Sequence, residues 1–180
     1  MKISVFGSAK PQPSEQAYVE AYLLGQILGS EGHTVITGGY CGTMEAVSRG
    51  AFESGAPVIG VTCDEVESWR ATGANEWVKE EWRTERLTDR ITAMITNSDA
   101  TIALPGGIGT LTEIMLTWNN LAIHAIPQIP LILIGKGWKE VFSVLMREQE
   151  SQLNQLDMDK LAFCPSVEAA SAHLHGLMVE

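Results

Sequence analysis

A glycine-rich turn at residues 105–113 carries the most specific chemical signal in the sequence. It reads Pro-Gly-Gly-Ile-Gly-Thr-Leu-Thr-Glu and follows an apolar segment at residues 100–104. Glycine lets the backbone approach a ligand closely, and the unpaired N–H groups and dipole at the start of a following helix favour an anion. Glu113 lies one helical turn beyond Thr110, on the same face. The pattern predicts a phosphate-binding turn formed by Pro105, Gly106, Gly107, Ile108, Gly109 and Thr110.

Two further glycine turns follow apolar segments earlier in the chain. Gly7-Ser8 comes after residues 3–6, and Gly38-Gly39-Tyr40-Cys41-Gly42 comes after residues 34–37. One such turn is most simply a tight connection between a strand and a helix. Three turns at the carboxyl edge of one parallel sheet favour a binding role, because ligands of open α/β sheets bind there. The candidate binding residues in these two turns are Gly7, Ser8, Gly38, Gly39 and Gly42.

Other nucleotide and metal chemistries lack their signatures. The first turn continues as Ala-Lys-Pro instead of forming G-x-G-x-x-G, and no Gly-Lys-Ser/Thr occurs. His173 and His175 have no evident third ligand, so neither a metal site nor a cofactor is predicted. The formal net charge of −10 argues against a nucleic-acid polymer as the partner. A small phosphorylated ligand remains compatible with that charge, because backbone N–H groups can bind its anion.

The elements that must position these turns alternate regularly between strand and helix. Apolar segments predict strands at residues 3–6, 34–37, 57–62, 100–104, 131–134 and 161–163. Helical spacing predicts helices at about residues 14–29, 43–54, 84–97, 110–123, 138–149 and 166–176, with Ser14 and Ser166 as N-caps. Strand–helix alternation requires parallel crossovers. The predicted fold is therefore α/β, a three-layer parallel sheet flanked by helices, in a single domain over residues 1–180.

The segment after residue 62 shows no clear periodicity for roughly twenty residues and contains Trp69, Trp77 and Trp82. These tryptophans are open to two interpretations: they stack on an aromatic base, or they pack under a loop or at a subunit contact. No secretory signal and no apolar run of about 18 residues is present, and the three cysteines form no C-x-x-C pair. These features predict a cytoplasmic protein without a membrane partner.

The nonapeptide at residues 105–113 resembles the PGGxGTxxE signature of the Lonely Guy (LOG) family, whose members were long labelled possible lysine decarboxylases. The resemblance covers roughly residues 1–145 and includes both other glycine turns. It implies a Rossmann-like fold and a homodimer or higher homo-oligomer. It also implies hydrolysis of the N-glycosidic bond of a nucleoside 5′-monophosphate, giving free base and ribose 5-phosphate. By the same resemblance, Arg90 and Glu113 form the catalytic pair, and Met44 joins the binding residues.

The sequence departs from the usual LOG pattern at two positions beside the catalytic pair. Ile91 stands where the family usually has lysine, and Thr112 where many members have a second glutamate. Residues 44–51 are more similar to a divergent branch that includes molybdenum-cofactor carrier proteins, which bind a phosphorylated pterin without turning it over. Two functions are therefore expected as alternatives, a phosphoribohydrolase and a carrier or sensor of a phosphorylated small molecule. Without the resemblance, Arg90 would be interpreted as a solvated helix arginine paired with an acid.

Overall fold

The computed structural model describes residues 1–70 and 72–179 and forms one wholly parallel sheet. Ala71, in the segment without predicted structure, and Glu180 lie outside the described residues. The strand order across the sheet is β4-β3-β2-β1-β5-β6-β7. The predicted α/β fold with a Rossmann-like parallel sheet is confirmed. The strands are β1 Lys2–Phe6, β2 Thr34–Thr37, β3 Val58–Cys63, β4 Glu80–Thr84, β5 Ala100–Ala103, β6 Leu131–Ile134 and β7 Leu161–Cys164.

Helices cover both faces of this sheet. One face packs against the first, second and last helices and the other against the fourth, fifth and sixth, each through its own core cluster. Within β6, alternate residues point into the two clusters, with Ile132 in one and Leu133 in the other. The helices are α1 Gln16–Ser30, α2 Thr43–Glu53, α3 Asp64–Trp69, α4 Leu87–Thr96, α5 Ile108–Ala122, α6 Lys136–Glu148, α7 Gln155–Met158 and α8 Val167–Val179.

The strands inside the sheet are mostly apolar because both of their faces are covered. Every residue of β3, β5 and β6 is buried, as the continuous apolar segments predicted. The predicted elements agree with the observed ones to within three residues at either end. In the part of the chain that the structure describes, no helix combines the length and apolar character needed to cross a membrane.

The segment predicted to be irregular contains two regular elements, so that prediction was wrong. β4 reads Glu-Glu-Trp-Arg-Thr and pairs with β3 in parallel register. It is one of the two edge strands of the sheet and none of its residues is fully buried, which is why it lacks the apolar alternation that would reveal a strand. The short helix α3 likewise has no buried residue and therefore no apolar face.

One of the two predicted helix caps is confirmed, the other is wrong, and one short helix was not predicted. Ser14 is not an N-cap: Glu15 occupies that position at the start of α1 and makes no capping side-chain bond. Ser166 does cap α8, because its hydroxyl accepts the N–H of Ala169 at 3.3 Å. The four-residue helix α7 was not predicted, although Asn154 and Asp157 form a capping box at its start.

Helices α1 and α2 cross with their backbones nearly in contact. A Cβ atom on Gly25 would overlap the carbonyl oxygen of Val47, and one on Gly50 would overlap the carbonyl oxygen of Tyr22. Only glycine permits this separation. The first residue of α2, Thr43, is also tied to the turn after β1, since its N–H donates to the carbonyl of Ser8 at 2.8 Å. The first and second glycine turns are therefore fixed next to each other.

Candidate functional site

A cavity of about 600 Å³ opens at the carboxyl edge of the sheet. It lies where β1 and β5 are neighbours and the strand order changes direction, which is where parallel α/β sheets place their ligands. Its volume is within the roughly 300–1,000 Å³ that small-molecule sites occupy. The predicted site residues that line it are Gly7, Ser8, Met44, Arg90, Gly107, Ile108, Gly109, Thr110 and Glu113.

Five predicted binding residues do not line this cavity: Gly38, Gly39, Gly42, Pro105 and Gly106. A Cβ atom on Gly38 would overlap the Arg90 guanidinium group, and one on Gly42, where φ is 72°, would overlap the carbonyl of Ser8. A side chain on Gly106 would overlap the Thr110 hydroxyl. The packing of the protein itself therefore requires glycine here. Pro105 and Gly106 face a second cavity of about 220 Å³ beside Trp138.

Gly107 and Gly109 differ from the other glycines around the site. A Cβ atom at either position would meet no atom within 4 Å, and neither has a positive φ. The fold therefore gives no reason for glycine at these two positions. Both line the cavity at the N-terminal end of α5, where backbone N–H groups lack helical partners. The open space above them is available to an anion held by those groups.

Thr110 lines the cavity in the first turn of α5 and is only 2% exposed. Its Oγ1 makes no hydrogen bond to any residue that the structure describes. Leaving a buried hydroxyl without a partner costs about 1–3 kcal/mol. A hydroxyl in this position can complete its hydrogen bonding with a ligand oxygen at the helix start.

Replacing Thr110 with valine is expected to have opposite effects on stability and on binding. Valine keeps the shape and removes the unpartnered hydroxyl, so the free energy of unfolding of the ligand-free protein should rise by about 1 kcal/mol. If the turn binds phosphate as the sequence predicts, the affinity for ribose 5-phosphate should fall, because the substitution removes a hydroxyl donor beside the expected phosphate position. Urea unfolding and calorimetric titration measure the two effects. An unchanged affinity would show that Thr110 does not contact the phosphate.

Arg90 is buried at the base of the cavity, with an exposed fraction of 6%. Its Nε donates to the carbonyl of Val61 at 2.7 Å, and its Nη2 donates to the carbonyl of Gly38 at 3.0 Å. Its Nη1 lies 3.6 Å from Oε1 of Glu113. Three anchors hold the guanidinium plane in one orientation. The interpretation of Arg90 as a solvated helix arginine is therefore wrong.

Glu113 is the second charged group at the base of the cavity and is 7% exposed. Burial raises the pKa of Glu113 to about 7, although the nearby Arg90 charge acts to lower it. A carboxyl group with this pKa exchanges a proton readily at neutral pH, as a general acid or base requires. The pair thus combines a permanent positive charge with a group that can be neutral or negative.

Neither departure from the LOG pattern changes the walls of the cavity. Ile91 is 4% exposed and packs in the core cluster shared by α4, α5 and α6. Thr112 is exposed on α5, where its hydroxyl donates to the carbonyl of Ile108 at 2.8 Å. The side chains of both residues are directed away from the site, so Arg90 and Glu113 keep their arrangement.

The charged side chains around the cavity favour an anionic ligand. The lining includes three cationic residues, Lys10, Arg70 and Arg90, and two acidic residues, Glu65 and Glu113. This local excess of positive charge lies in a chain whose formal net charge is −10. Among the residues that the structure describes, no group of three or more His, Cys, Asp or Glu side chains is placed to hold a metal ion.

Several lining residues were not predicted from the sequence. Tyr40 and Lys10 lie within or beside the glycine turns, whereas Glu65 and Arg70 belong to α3 and the residue after it. Trp69, at the end of α3, also lines the cavity, and stacking on a base was one of the two interpretations left open for it. One signal could have identified Glu65 and Arg70. They belong to the segment that follows the carboxyl end of β3. In a parallel sheet, the segments that follow the strands all begin at the same edge, which is the edge where ligands bind.

Comparison with known proteins identifies the family. The sequence profile of the SLOG cluster4 family matches residues 1–158. The chain belongs to the SLOG cluster4 family. The resemblance to LOG proteins carried by the three glycine turns is thereby confirmed.

Plant enzymes are among the relatives of this SLOG cluster4 protein. It is 36% identical over 129 residues to a probable cytokinin riboside 5′-monophosphate phosphoribohydrolase of Oryza sativa, a match covering 70% of this chain and 52% of the plant protein. It is 40% identical over 95 residues to a cytokinin riboside 5′-monophosphate phosphoribohydrolase of Arabidopsis thaliana, covering 52% of this chain and 44% of that protein. The chain thus spans about half the length of these curated relatives.

A solved structure is similar to the SLOG cluster4 protein over nearly its whole length. It is the molybdenum cofactor binding protein of Rippkaea orientalis, with a TM-score of 0.75 and 25% sequence identity. The match covers 98% of this chain and 96% of that protein. The same fold is therefore found in a protein named for binding and in relatives named for hydrolysis.

Proposed function

We propose that the SLOG cluster4 protein is a nucleoside 5′-monophosphate phosphoribohydrolase, which cleaves the N-glycosidic bond to give free base and ribose 5-phosphate. The observation that carries this proposal is the buried pair of Arg90 and Glu113, 3.6 Å apart at the base of the cavity. A site that only holds a phosphate needs no buried carboxyl group with its pKa raised to about 7. Hydrolysis at neutral pH can use such a group as its general base.

The pair suits the charge changes of glycosidic cleavage. As the bond between C1′ and the base nitrogen breaks, its electron pair leaves with the base and positive charge develops on the ribose ring. The ionised carboxylate of Glu113 stabilises that charge and accepts a proton from the water molecule whose oxygen bonds to C1′. Glu113 then gives this proton to the departing base, which regenerates the carboxylate. Arg90 stabilises the negative charge that develops on the base.

The phosphate is proposed to lie at the start of α5. Ser8 and the backbone N–H groups of residues 107–110 would bind it, with the Thr110 hydroxyl as a further donor. Gly7 and Met44 would contact the ribose or base from the facing wall. The remaining predicted residues act from behind the cavity: Gly38 by accepting a hydrogen bond from Arg90, and Gly39, Gly42, Pro105 and Gly106 by shaping the turns.

A second candidate is a carrier or sensor that binds a phosphorylated small molecule in the same cavity without hydrolysing it. The similarity to the Rippkaea orientalis protein over 98% of this chain favours this candidate. Homo-oligomerisation remains a prediction from the LOG resemblance. Ile114, Trp118 and Leu121 of α5 are buried against the sheet, so the large apolar side chains that this helix exposes are Ile108, which lines the cavity, and Met115, followed by Ile123 directly after the helix.

Release of ribose 5-phosphate from a panel of nucleoside monophosphates tests the proposal. We expect release from at least one of them, and the preferred base identifies the substrate. Melting temperatures measured with the same compounds report binding independently of turnover. If no compound is hydrolysed while several raise the melting temperature, the hydrolase proposal fails and the carrier function takes its place.

A further inference from the structure

Of the tryptophans in the described residues, only Trp69 lines the cavity. Trp77 packs against Phe52, with ring centroids 5.8 Å apart. Trp82 is on the edge strand β4, where its Nε1 donates to Oε1 of Glu80 at 2.7 Å. Trp69 is at the last position of α3, and 75% of its surface is exposed at the cavity. Its exposure is unusual for a large aromatic side chain and has no explanation in the packing of the fold.

Trp69 is held in place by the attachment of α3 to its neighbours. Asp64 and Glu67 both form ion pairs with Arg83 of β4, at 2.6 and 2.8 Å. The carboxylate of Glu65 accepts the N–H of Leu87, the first residue of α4, at 2.8 Å. Each exposed contact is weak alone, but together they join α3 to two neighbouring elements. The helix that carries Trp69 is therefore attached to the sheet edge and to α4.

The surroundings of the indole suit a planar ligand. The guanidinium carbon of Arg70 lies 4.5 Å from the ring centroid of Trp69, so a cation covers part of one ring face. Most of the ring surface remains free. Val66 and Leu87 add apolar surface to the same part of the cavity. An aromatic ring against Trp69 would remove this surface from water and stack on the indole.

We propose that Trp69 stacks on the base of the bound nucleotide, so that this side chain supplies binding affinity that grows with the size of the base. This inference rests on the proposed function for the ligand class, because that proposal assigns the phosphate to the start of α5 and the glycosidic bond to Arg90 and Glu113. The base then extends to the remaining wall, which α3 provides. A two-ring base overlaps the two-ring indole more fully than a pyrimidine does, and stacking energy grows with the overlap.

The test compares ligands that share a phosphate but differ in the base. Affinities for AMP, CMP and ribose 5-phosphate are measured by calorimetry in a Glu113→Gln background, which keeps the nucleotides intact. Adding Trp69→Ala should weaken AMP binding by about ten-fold or more and CMP binding by less, with ribose 5-phosphate unchanged. Trp69→Phe should recover much of the AMP affinity. Trp82→Ala is the control, since Trp82 does not line the cavity.

The inference and the proposed function fail in different ways. AMP affinity unchanged by Trp69→Ala would overturn the stacking role, whether or not the wild-type protein hydrolyses nucleotides. Equal losses for AMP and ribose 5-phosphate would also overturn it, because the substitution would then have disturbed the whole site. A selective loss of AMP affinity in a protein that releases no ribose 5-phosphate would support the stacking role and exclude the hydrolase.

Discussion

Replacing Glu113 with glutamine is expected to abolish the release of ribose 5-phosphate while leaving the protein folded. Glutamine has nearly the same shape, but it cannot accept the proton of the attacking water or carry the negative charge that stabilises the ribose cation. The rate constant should fall at least about 100-fold. Single-turnover measurement of ribose 5-phosphate release with the preferred nucleotide gives the rate, and circular dichroism checks the fold. A variant that retains most of the rate would rule out Glu113 as the catalytic carboxyl group.

The pH dependence of ribose 5-phosphate release follows from the raised pKa of Glu113. The rate of the wild-type protein should increase as the pH rises through about 7, because the ionised carboxylate is the active form. Stability should change in the opposite direction. The folded protein favours the protonated form of Glu113. The contribution of Glu113 to stability is therefore present below the ordinary pKa of a glutamate and is lost as the pH rises through about 7. Unfolding at pH 5 and pH 8 should therefore show a decline in wild type that Glu113→Gln lacks; parallel pH dependences would contradict the buried carboxyl group.

Replacing Arg90 with alanine is expected to cost both activity and stability. The substitution removes the hydrogen bonds that Arg90 donates to the carbonyls of Val61 and Gly38. It also leaves Glu113 buried beside an empty volume. The free energy of unfolding should fall by about 3 kcal/mol, as when one partner of a buried ion pair is deleted. The pKa of Glu113 should rise further without its cation. Urea unfolding measures the first effect, and the pH–rate profile of any residual activity measures the second.

Two matched variants separate the role of Arg90 from the loss of a charge. Arg86→Ala removes an exposed arginine one turn earlier and should change neither stability nor rate appreciably. Arg90→Lys keeps the charge, but a lysine cannot reproduce the fixed fork of donors toward two backbone carbonyls. It should therefore retain more stability than Arg90→Ala and still lose most of the activity. If Arg86→Ala were as damaging as Arg90→Ala, a general charge effect would be responsible.

The fold could be predicted from the sequence because its central strands are buried on both faces. Residues 131–134, all apolar, illustrate the pattern, which is readable without knowledge of their neighbours. β4 could not be recognised in this way, since an edge strand that exposes Glu80 and Glu81 has no apolar pattern to detect. α3 escaped recognition for the same reason, so the sequence could not decide between the two interpretations of Trp69, the residue on which the stacking proposal depends.

The candidate site was predictable only in part because its chemistry depends on long-range contacts. The glycine turn at residues 105–113 is a local feature, and local physics explains its preference for an anion. The pairing of Arg90 with Glu113 came from the LOG resemblance. Nothing in the residues near Arg90 reveals that its donors reach Val61 and Gly38, on other elements of the fold. Burial of Arg90, and hence its fixed orientation, is a property of the assembled structure.

The glycines of this chain record two separate constraints on its evolution. Gly25 and Gly50 are dictated by the crossing of α1 and α2, and any descendant that keeps this helix pair must keep them whatever it binds. At Gly107 and Gly109 a Cβ atom would contact no atom of the protein. A side chain could therefore replace either glycine once no ligand has to occupy the space above the start of α5. A descendant that has lost the second pair and kept the first would retain the architecture after abandoning the ancestral ligand.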